Sequence, residues 1–453
     1  MTTNDLHGVI GEQKANFMNP QYPPTILGGA AFSKYVDELR MESKKNNEGI
    51  LILDGGNFFQ GSPLGMADNG ETMIDWMNYI GYDALVPGSY DFISGSNNLN
   101  ALSKRADFPF LYSNLQCNDC PLTSSKIKPY VIQNILGIQV GILGVVNSRL
   151  NELVLAENLS GTNAEEEVRS IRKWVPEMKA EGAELMIVLT SSGVPWDREE
   201  EYKKFISQVK SGEKDENSSL NALQMAYFLE GVDFVIAGGN SKGYWLPWYD
   251  PHSHVYVMQG YGGGSEFSHI KLLVDEKTHS FMGYETVIDG KASQTLLADD
   301  FKSNREDAKW IESKLEEAKK IMGENQLLWK WEDLHQIKFI HPLYDQLNNP
   351  YKDIMFIKNY GRGGTGNTPN STSFSPIDFR VRSGGSWRFV VDTNDWDGAR
   401  MTNAPGQSGD PRSKYYDNLL YGWANDASFP LYFSKEAILK NKDFIIELVP
   451  KNN

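Results

Sequence analysis

The sequence predicts a layered α/β fold followed by a smaller, β-rich module. Through residues 1–325, apolar β-branched runs alternate with segments of helical spacing, which is typical of sheets covered by helices. From about Trp329 the sequence pattern changes. Aromatic-rich segments with alternating apolar and polar residues are interrupted by a loop rich in Gly, Asn, Ser and Thr. We therefore predict two domains, residues 1–325 and residues 326–453.

Several apolar runs of the first domain are predicted to be core strands. They are Gly49 to Asp54, Gly137 to Val146, Leu185 to Leu189, Phe234 to Ala237 and Val255 to Gln259. Between Asp299 and Gly323 the apolar residues recur at helical spacing, and a glycine is a typical helix terminus. This helix is predicted to close the domain.

In the second domain, Trp387 to Asp392 is predicted to be a strand. The loop from Gly361 to Ser373 is interpreted as a long hairpin connection, because its glycines lack the spacing of a phosphate-binding loop. Ser408 is interpreted as a turn residue, because Gly-Gln-Ser-Gly is not the nucleophile motif of serine hydrolases.

Length, charge and hydropathy exclude some classes of partner. The chain has 453 residues, of which 40% are hydrophobic, so it can bury a large core. The net charge of −15 argues against a nucleic-acid partner, because phosphate backbones are bound by clustered positive charge. No run approaches the roughly 20 apolar residues of a membrane span, so no transmembrane segment is predicted.

The two cysteines, Cys117 and Cys120, lie in a Cys-Asn-Asp-Cys sequence. There is no second cysteine pair, so a structural zinc site of four thiolates is not supported. A loop-closing disulfide and two free thiols both remain open, since the redox compartment decides between them. Redox catalysis is the least favoured role.

Motifs along the first domain resemble, in order, those of calcineurin-like metallophosphatases of the 5'-nucleotidase type. The run Thr-Asn-Asp-Leu-His-Gly at 3–8 resembles the opening Asp-x-His motif, and Leu-Asp-Gly-Gly-Asn-Phe-Phe-Gln-Gly-Ser at 53–62 resembles the second block. Further blocks follow at 88–92, 190–193 and 238–242. The resemblance implies a four-layer α-β-β-α sandwich, with two metal cations that activate a water molecule.

The same resemblance implies that most metal ligands have been replaced. Of the ligand positions, Asp5 and His7 are retained. The bridging aspartate has become the neutral amide Asn57, and Tyr90 stands where the family has its acid histidine. The remaining ligand positions also hold substitutes: Ser89, Ser191, Asn240 and Lys242. We therefore expect no cofactor, or at most one weakly bound divalent metal on Asp5 and His7. His252 and His254, a few residues downstream, are interpreted as surface-loop histidines.

Two interpretations of Lys242 remain open at this stage. Its ammonium could stand where the first cation stood and hold Asp5 ionised, because a buried carboxylate needs a partner. Alternatively, Lys242 is a solvated loop residue. The first interpretation predicts a direct Lys242–Asp5 contact.

The last quarter of the chain resembles the C-terminal end of the β-chain of penicillin-acylase-type N-terminal nucleophile hydrolases. The matching blocks lie at 331–335, 341–343, 363–367, 385–392, 405–411 and 416–417, and Lys414 and Tyr415 depart from the family pattern. The nucleophile at a processed N-terminus is not present in this pattern. Arg388 is a candidate for binding a ligand carboxylate, and a structural ion pair is the alternative.

Three functions follow from these resemblances. A non-catalytic binding or structural subunit is favoured by the replaced ligands. A weak metal-dependent phosphoesterase is the alternative, and part of an acylase-like amide hydrolase assembly is the third. The family resemblance implies a periplasmic or extracellular location, and a protein partner or a homo-oligomer is expected. The N-terminus as given lacks the pattern of a signal peptide, although Met1 leads directly into a strand end, which is compatible with upstream sequence.

Overall fold

The computed structural model describes residues 1–322, except 16–17, 20–21, 155 and 241, together with the backbone of seven strands between residues 334 and 450. Among these residues, no helix is long and apolar enough to cross a membrane.

The helices of the first domain are α1 (Gly29–Asn46), α2 (Pro63–Met66), α3 (Glu71–Ile80), α4 (Ser96–Arg105), α5 (Leu150–Leu153), α6 (Ala156–Leu159), α7 (Glu167–Ala180), α8 (Arg198–Ser211), α9 (Ala222–Tyr227) and α10 (Arg305–Met322). The strands are β1 (Thr2–Thr3), β2 (Gln13–Lys14), β3 (Thr25–Ile26), β4 (Leu53–Asp54), β5 (Ala84–Leu85), β6 (Phe110–Leu111), β7 (Leu115–Cys117), β8 (Ile127–Lys128), β9 (Tyr130–Ile135), β10 (Ile138–Val145), β11 (Thr162–Ala164), β12 (Leu185–Thr190), β13 (Phe234–Ala237), β14 (Trp248–Tyr249), β15 (Tyr256–Met258), β16 (Glu266–Ser268), β17 (Ile270–Val274), β18 (Phe281–Thr286) and β19 (Ser293–Thr295).

Two mixed sheets form the centre of this domain. The first has seven strands in the order β19-β16-β1-β4-β5-β6-β8, and the second has six in the order β14-β15-β13-β12-β10-β9. Strands β1, β4, β5, β6 and β8 are parallel neighbours, as are β10, β12, β13 and β15. The carboxyl ends of each parallel set therefore meet at one edge of its sheet, where loops can deliver site residues.

The sheets pack between helices, as the alternation of side chains along strand β12 shows. Its residues Leu185, Ile187 and Leu189 belong to the core shared with the first sheet, whereas Met186 and Val188 belong to a second core. That second core also contains Ile171 of α7 and other apolar residues of α7, α8 and α9. Because alternate side chains of a strand point to opposite faces, both faces of β12 are buried. The predicted α/β sandwich is confirmed.

The predicted strands and closing helix are found with shifted ends. Strands β10, β12, β13 and β15 lie within or next to their predicted runs, whereas only the last two residues of the run from Gly49 to Asp54 form a strand, β4. Helix α10 begins at Arg305 and not at Asp299. The Asn304 side-chain oxygen accepts a hydrogen bond from the Glu306 N–H, which caps the helix and explains its later start.

The C-terminal part contains two antiparallel sheets. Strands β20 (Leu334–Ile340), β21 (Asp353–Ile357) and β26 (Ile445–Pro450) form one sheet in the order β21-β20-β26. The other contains β22 (Ile377–Arg382), β23 (Ser386–Val391), β24 (Leu420–Trp423) and β25 (Tyr432–Phe433) in sequence order. The predicted strand from Trp387 to Asp392 corresponds to β23. The loop from Gly361 to Ser373, Ser408 and the side chain of Arg388 lie outside the described residues.

Gly144 allows the two sheets to approach closely. A Cβ atom at this position of β10 would lie 2.4 Å from the Cβ atom of Leu111, in strand β6 of the other sheet, and 2.5 Å from the Leu111 carbonyl oxygen. Contacts this short are not tolerated, so a side chain at Gly144 would push the sheets apart.

Gly144→Ala is therefore expected to lower the free energy of unfolding by about 1–3 kcal/mol, the usual cost of overpacking a core. Urea unfolding followed by circular dichroism measures this change. Gly11→Ala is the matched control, since its Cβ atom would meet nothing nearer than a Leu315 methyl carbon at 3.6 Å. Equal losses in the two variants would contradict this account of the sheet packing.

Candidate functional site

The loops after neighbouring strands β1 and β4 run side by side and bring the first two motifs together. The backbone N–H of Asp5 donates to the Gly56 carbonyl at 2.8 Å, and that of His7 donates to the Asn57 carbonyl at 2.9 Å. The loop after β13 approaches the same point, because the Gly239 N–H reaches the side chain of Asp5. Both sheets therefore contribute to this centre.

Three residues of the centre have left-handed backbone conformations. The φ angles are 49° at Asp5, 52° at His7 and 59° at Asn57. Asp, Asn and His are the types of residue, apart from glycine, that adopt this conformation most readily. Such conformations cost free energy and persist where surrounding contacts hold them, often at functional sites.

The buried carboxylate of Asp5 is held by amide groups. Asn57 Nδ2 donates to Oδ1 at 2.7 Å, and Asn4 Nδ2 donates to Oδ2 at 2.9 Å. The Gly239 N–H donates to both oxygens, at 3.0 and 2.9 Å. Asp5 is only 1% exposed, and a carboxylate at such a position needs donors of this kind to be stable.

Asn57 uses both ends of its side-chain amide. While Nδ2 donates to Asp5, Oδ1 accepts the backbone N–H of Tyr90 at 3.1 Å. A carboxylate at position 57 could accept the Tyr90 N–H, but it could not donate to Asp5. The amide therefore replaces an electrostatic attraction to cations by a direct hydrogen bond between the two side chains.

His7 keeps an orientation that would suit a metal ligand. Its Nδ1 lies 2.7 Å from the Gln60 carbonyl oxygen, which can only accept, so Nδ1 carries the proton. Its Nε2 lies 3.9 Å from Asp5 Oδ1, and its ring contacts the Tyr90 ring edge-on, with centroids 5.7 Å apart. The structure thus brings together Asp5, His7, Asn57 and Tyr90.

Other predicted positions have different partners. Asn240 Nδ2 donates to the Val194 carbonyl at 2.5 Å, and Ser191 Oγ accepts the Asn147 N–H at 3.2 Å. Ser89 begins a short 3-10 helix (Ser89–Phe92). His252 and His254 are exposed, in the turn between β14 and β15, as predicted for surface histidines.

The direct Lys242–Asp5 contact that the counterion interpretation predicts is not found among the described residues. The ammonium lies 3.3 Å from the Tyr261 hydroxyl and 4.8 Å from the centre of the Trp196 ring. Within the described residues, no ion pair joins Lys242 to Asp5 at 4.0 Å or less. The physical reason is that the amide donors already satisfy the Asp5 carboxylate. Lys242 is not a solvated loop residue either, since aromatic rings half-bury it.

Asp91 is a structural residue of the centre that sequence reasoning missed. Its buried carboxylate accepts the backbone N–H groups of Asn57, Phe58 and Gly88, at 2.7, 2.9 and 2.8 Å. Burial raises the pKa of Asp91 to about 7, although these hydrogen bonds act in the opposite direction. The sequence feature that could have identified Asp91 is its position in the motif block at 88–92.

The residues present do not fit a pair of metal cations. Across the described part of the chain, no group of three or more His, Cys, Asp or Glu side chains could hold a metal ion. A dinuclear centre needs a bridging carboxylate and several further ligands, but Asn57 is neutral and Asn240 has another partner. The centre is organised by amide hydrogen bonds.

The structure joins Cys117 and Cys120 in a disulfide, which is one of the two alternatives left open by the sequence. The bond closes a short loop at the end of β7, which pairs with β11 away from the two main sheets. Burial of Cys120 and exposure of Cys117 suit a loop closure at the surface.

Comparison with known proteins confirms both resemblances. The chain is 26% identical over 307 residues to the 5'-nucleotidase of Rattus norvegicus, covering 63% of this chain and 47% of that protein. It is 26% identical over 244 residues to the 5'-nucleotidase of Vibrio cholerae, covering 53% and 39%. The chain thus spans about half the length, or less, of these curated relatives. The family model for penicillin amidase matches residues 244–440.

Solved structures show the fold. A 5'-nucleotidase precursor from Thermus thermophilus superposes with a TM-score of 0.57 at 18% identity, covering 74% of this chain and 60% of that chain. The calcineurin-like phosphoesterase YfkN from Bacillus subtilis gives 0.50 at 19% identity, covering 70% and 97%. The fold is therefore that of the metallophosphatases. More particularly, the chain is similar to 5'-nucleotidases, with a penicillin-amidase match that begins inside the sandwich and continues through the C-terminal part.

Asp91 is expected to make stability depend on pH. Its pKa is about 7 in the folded protein, against an ordinary value of 3.8, so the folded state binds an extra proton between these values. The contribution of Asp91 to stability is therefore largest at low pH and falls as the pH rises. The free energy of unfolding of the wild type, minus that of Asp91→Asn, should fall by about 1.4 kcal/mol per pH unit between about pH 4 and 7.

Urea unfolding of both proteins at several pH values measures this difference. A difference that stays constant, or one that grows with pH, would contradict the assignment of a raised pKa to Asp91.

Asn57→Asp is expected to destabilise the fold, because it places two buried carboxylates within 2.7 Å of each other without a cation. The loss should be about 3–5 kcal/mol, as for other uncompensated buried charges. Added Mn²⁺ should recover part of it, since a bridging carboxylate is restored. Denaturant unfolding with and without Mn²⁺ measures both effects. Asn57→Ala removes the same hydrogen bond without adding charge, so it should not respond to Mn²⁺.

Proposed function

We propose that this chain is a non-catalytic binding or structural protein with a metallophosphatase fold, in which amide hydrogen bonds have replaced the metal centre. One observation carries the proposal: the Asp5 carboxylate, retained from the motif, is bound by Asn57 Nδ2 at 2.7 Å and by two further amide donors. The position that would bridge two cations thus holds a hydrogen-bond donor that supports the fold.

The chemistry of phosphate-ester hydrolysis is poorly supported by this centre. It needs cations that neutralise the phosphate charge and generate a hydroxide nucleophile. Here the groups that surround Asp5 are neutral amides, and the nearest lysine of the replaced motif, Lys242, contacts aromatic rings instead.

The proposal includes no resident cofactor, or at most one weakly bound divalent metal. A single cation could use His7 Nε2 and Asp5 Oδ1, which lie 3.9 Å apart. It would have to displace amide donors from the carboxylate, and the two remaining ligands would give a low affinity.

A weak metal-dependent phosphoesterase is the alternative function. It is favoured by the names of the relatives, which include 5'-nucleotidases and a trifunctional nucleotide phosphoesterase. The His7 tautomer, which leaves Nε2 without a proton, also favours it. In addition, the Gln60 side-chain oxygen is buried and has no hydrogen-bond partner among the described residues.

A role in an acylase-like amide hydrolase assembly is the second alternative, and the penicillin-amidase match over residues 244–440 favours it. It requires a partner chain that supplies the N-terminal nucleophile. Arg388 remains a candidate for binding a carboxylate in that case.

We also propose that the protein acts in the periplasm or outside the cell. One relative is a snake venom 5'-nucleotidase, and disulfides such as Cys117–Cys120 persist mainly in oxidising compartments. A protein partner or self-association would then account for a function without catalysis.

The purified full chain is expected to retain less than one equivalent of manganese, iron or zinc after dialysis, because ligand number and type limit the affinity. Hydrolysis of nucleoside monophosphates and of p-nitrophenyl phosphate should stay near background, with or without added Mn²⁺. Elemental analysis and a phosphate-release assay measure the two quantities.

Asp5→Ala is the control for this assay. Activity of the wild-type protein that disappears in Asp5→Ala would support the phosphoesterase alternative, and two equivalents of tightly bound metal would overturn the proposal. Activity that survives Asp5→Ala would indicate a contaminating phosphatase, and repurification would then remove it.

A further inference from the structure

An exposed aromatic surface lies beside the centre formed by Asp5, His7 and Asn57. Trp196 and Trp245 are 63% and 68% exposed, and Leu246 is 47% exposed. Monomeric proteins seldom leave several large apolar side chains exposed together, and such patches usually mark interaction sites. We refer to this region, formed by Trp196, Arg198, Glu199, Lys242, Trp245, Leu246 and Lys291, as the tryptophan surface.

Direct contacts show that the tryptophan surface is continuous. The Lys242 ammonium lies 4.8 Å from the centre of the Trp196 ring and 5.6 Å from that of Tyr244. The Arg198 guanidinium lies over the Tyr244 ring, 3.9 Å from its centre. The same guanidinium donates a hydrogen bond to the Leu246 carbonyl at 3.0 Å.

The same chain of contacts extends to Lys291. Leu246 follows Trp245 in the sequence, and the Lys291 ammonium lies 4.5 Å from the centre of the Trp245 ring. Cations and rings therefore alternate along one surface. Arg, Trp and Tyr are the residues that contribute most binding energy at protein interfaces.

The surface carries both signs of charge. It contains the cations Arg198, Lys242 and Lys291, whereas the chain as a whole has a net charge of −15. Glu199 and Glu200, at the start of α8, are exposed and follow Arg198 directly.

These observations favour one type of partner. A two-fold symmetric interface uses the same patch on both subunits, so the patch must be complementary to itself. Cations and carboxylates side by side around apolar rings meet this requirement, whereas a patch of a single sign would repel its copy. We propose that the tryptophan surface binds a second copy of this chain in a two-fold symmetric dimer.

The proposal does not depend on the loss of catalysis. It concerns residues that make no hydrogen bond to Asp5, and its test measures association and not turnover. A failure of the dimer would leave the proposed non-catalytic function untouched, and a discovery of phosphatase activity would leave the dimer untouched.

Sedimentation velocity of the full chain over about 1–100 µM tests the proposal. We expect a concentration-dependent dimer in the wild type, and a dissociation constant raised at least about tenfold in Trp245→Ala, because truncation of an interface tryptophan removes a large contact. Tyr22→Ala is the matched control, since Tyr22 is even more exposed, at 81%, and lies outside the tryptophan surface. It should dimerise like the wild type.

Charge reversal tests the symmetry. Lys291→Glu and Glu199→Lys should each weaken dimerisation, because each places like charges on both facing patches. An equimolar mixture of the two variants should associate more tightly than either variant alone, since the patches are then oppositely charged. This result does not depend on any effect of Trp245→Ala on folding.

Three outcomes would overturn the proposal. The first is a wild-type chain that stays monomeric up to about 100 µM, where a dimer with a micromolar dissociation constant would be well populated. The second is a dimer that Trp245→Ala and Tyr22→Ala affect equally. The third is a monomer in which hydroxyl-radical footprinting finds Trp196 and Trp245 protected, which would indicate that residues 326–453 of the same chain cover them.

Discussion

The hydrogen bond between Asn57 Nδ2 and Asp5 Oδ1 is the interaction on which the rest of this centre depends. It joins the loops after β1 and β4, and through Asp5 it also holds the Gly239 loop of the second sheet. In a metal-dependent relative of this fold, cations would be needed to hold such acidic loops together. Here the amide of Asn57 joins the two loops directly by a hydrogen bond, and the donors around Asp5 stabilise its buried carboxylate.

Around this bond, other side chains of the motif blocks also have partners within the protein. Asp91 binds the backbone of the 57–58 loop, so the loop conformation is fixed without a ligand. Asn240 is bound to the Val194 carbonyl, and Lys242 lies among aromatic rings. These contacts stabilise one arrangement of the loops around Asp5.

The sequence was sufficient for the fold class and for the positions that meet at the centre. Strands β10, β12 and β13 were predictable because both of their faces are buried, which produces continuous apolar runs. The order of the motifs identified Asp5, His7 and Asn57. The direction of Lys242 was not predictable, because it depends on the loop conformation and on Trp196 and Tyr261, which are distant in sequence. The role of Asp91 was not predicted for a similar reason, since two of its partners are the backbone N–H groups of Asn57 and Phe58 in another loop.

The hydrogen bonds of Asn4 and Asp5 have a consequence for the order of folding. Gly239 and Gly260, their partners, lie 234 and 256 residues away along the chain. Loop-closure entropy must be overcome before such distant contacts form, so they belong to the late steps of folding. We therefore expect the centre to close after both sheets are assembled. An unfinished sandwich would leave the Asp5 carboxylate without the Gly239 donor, so a closed centre would mark a completely folded domain.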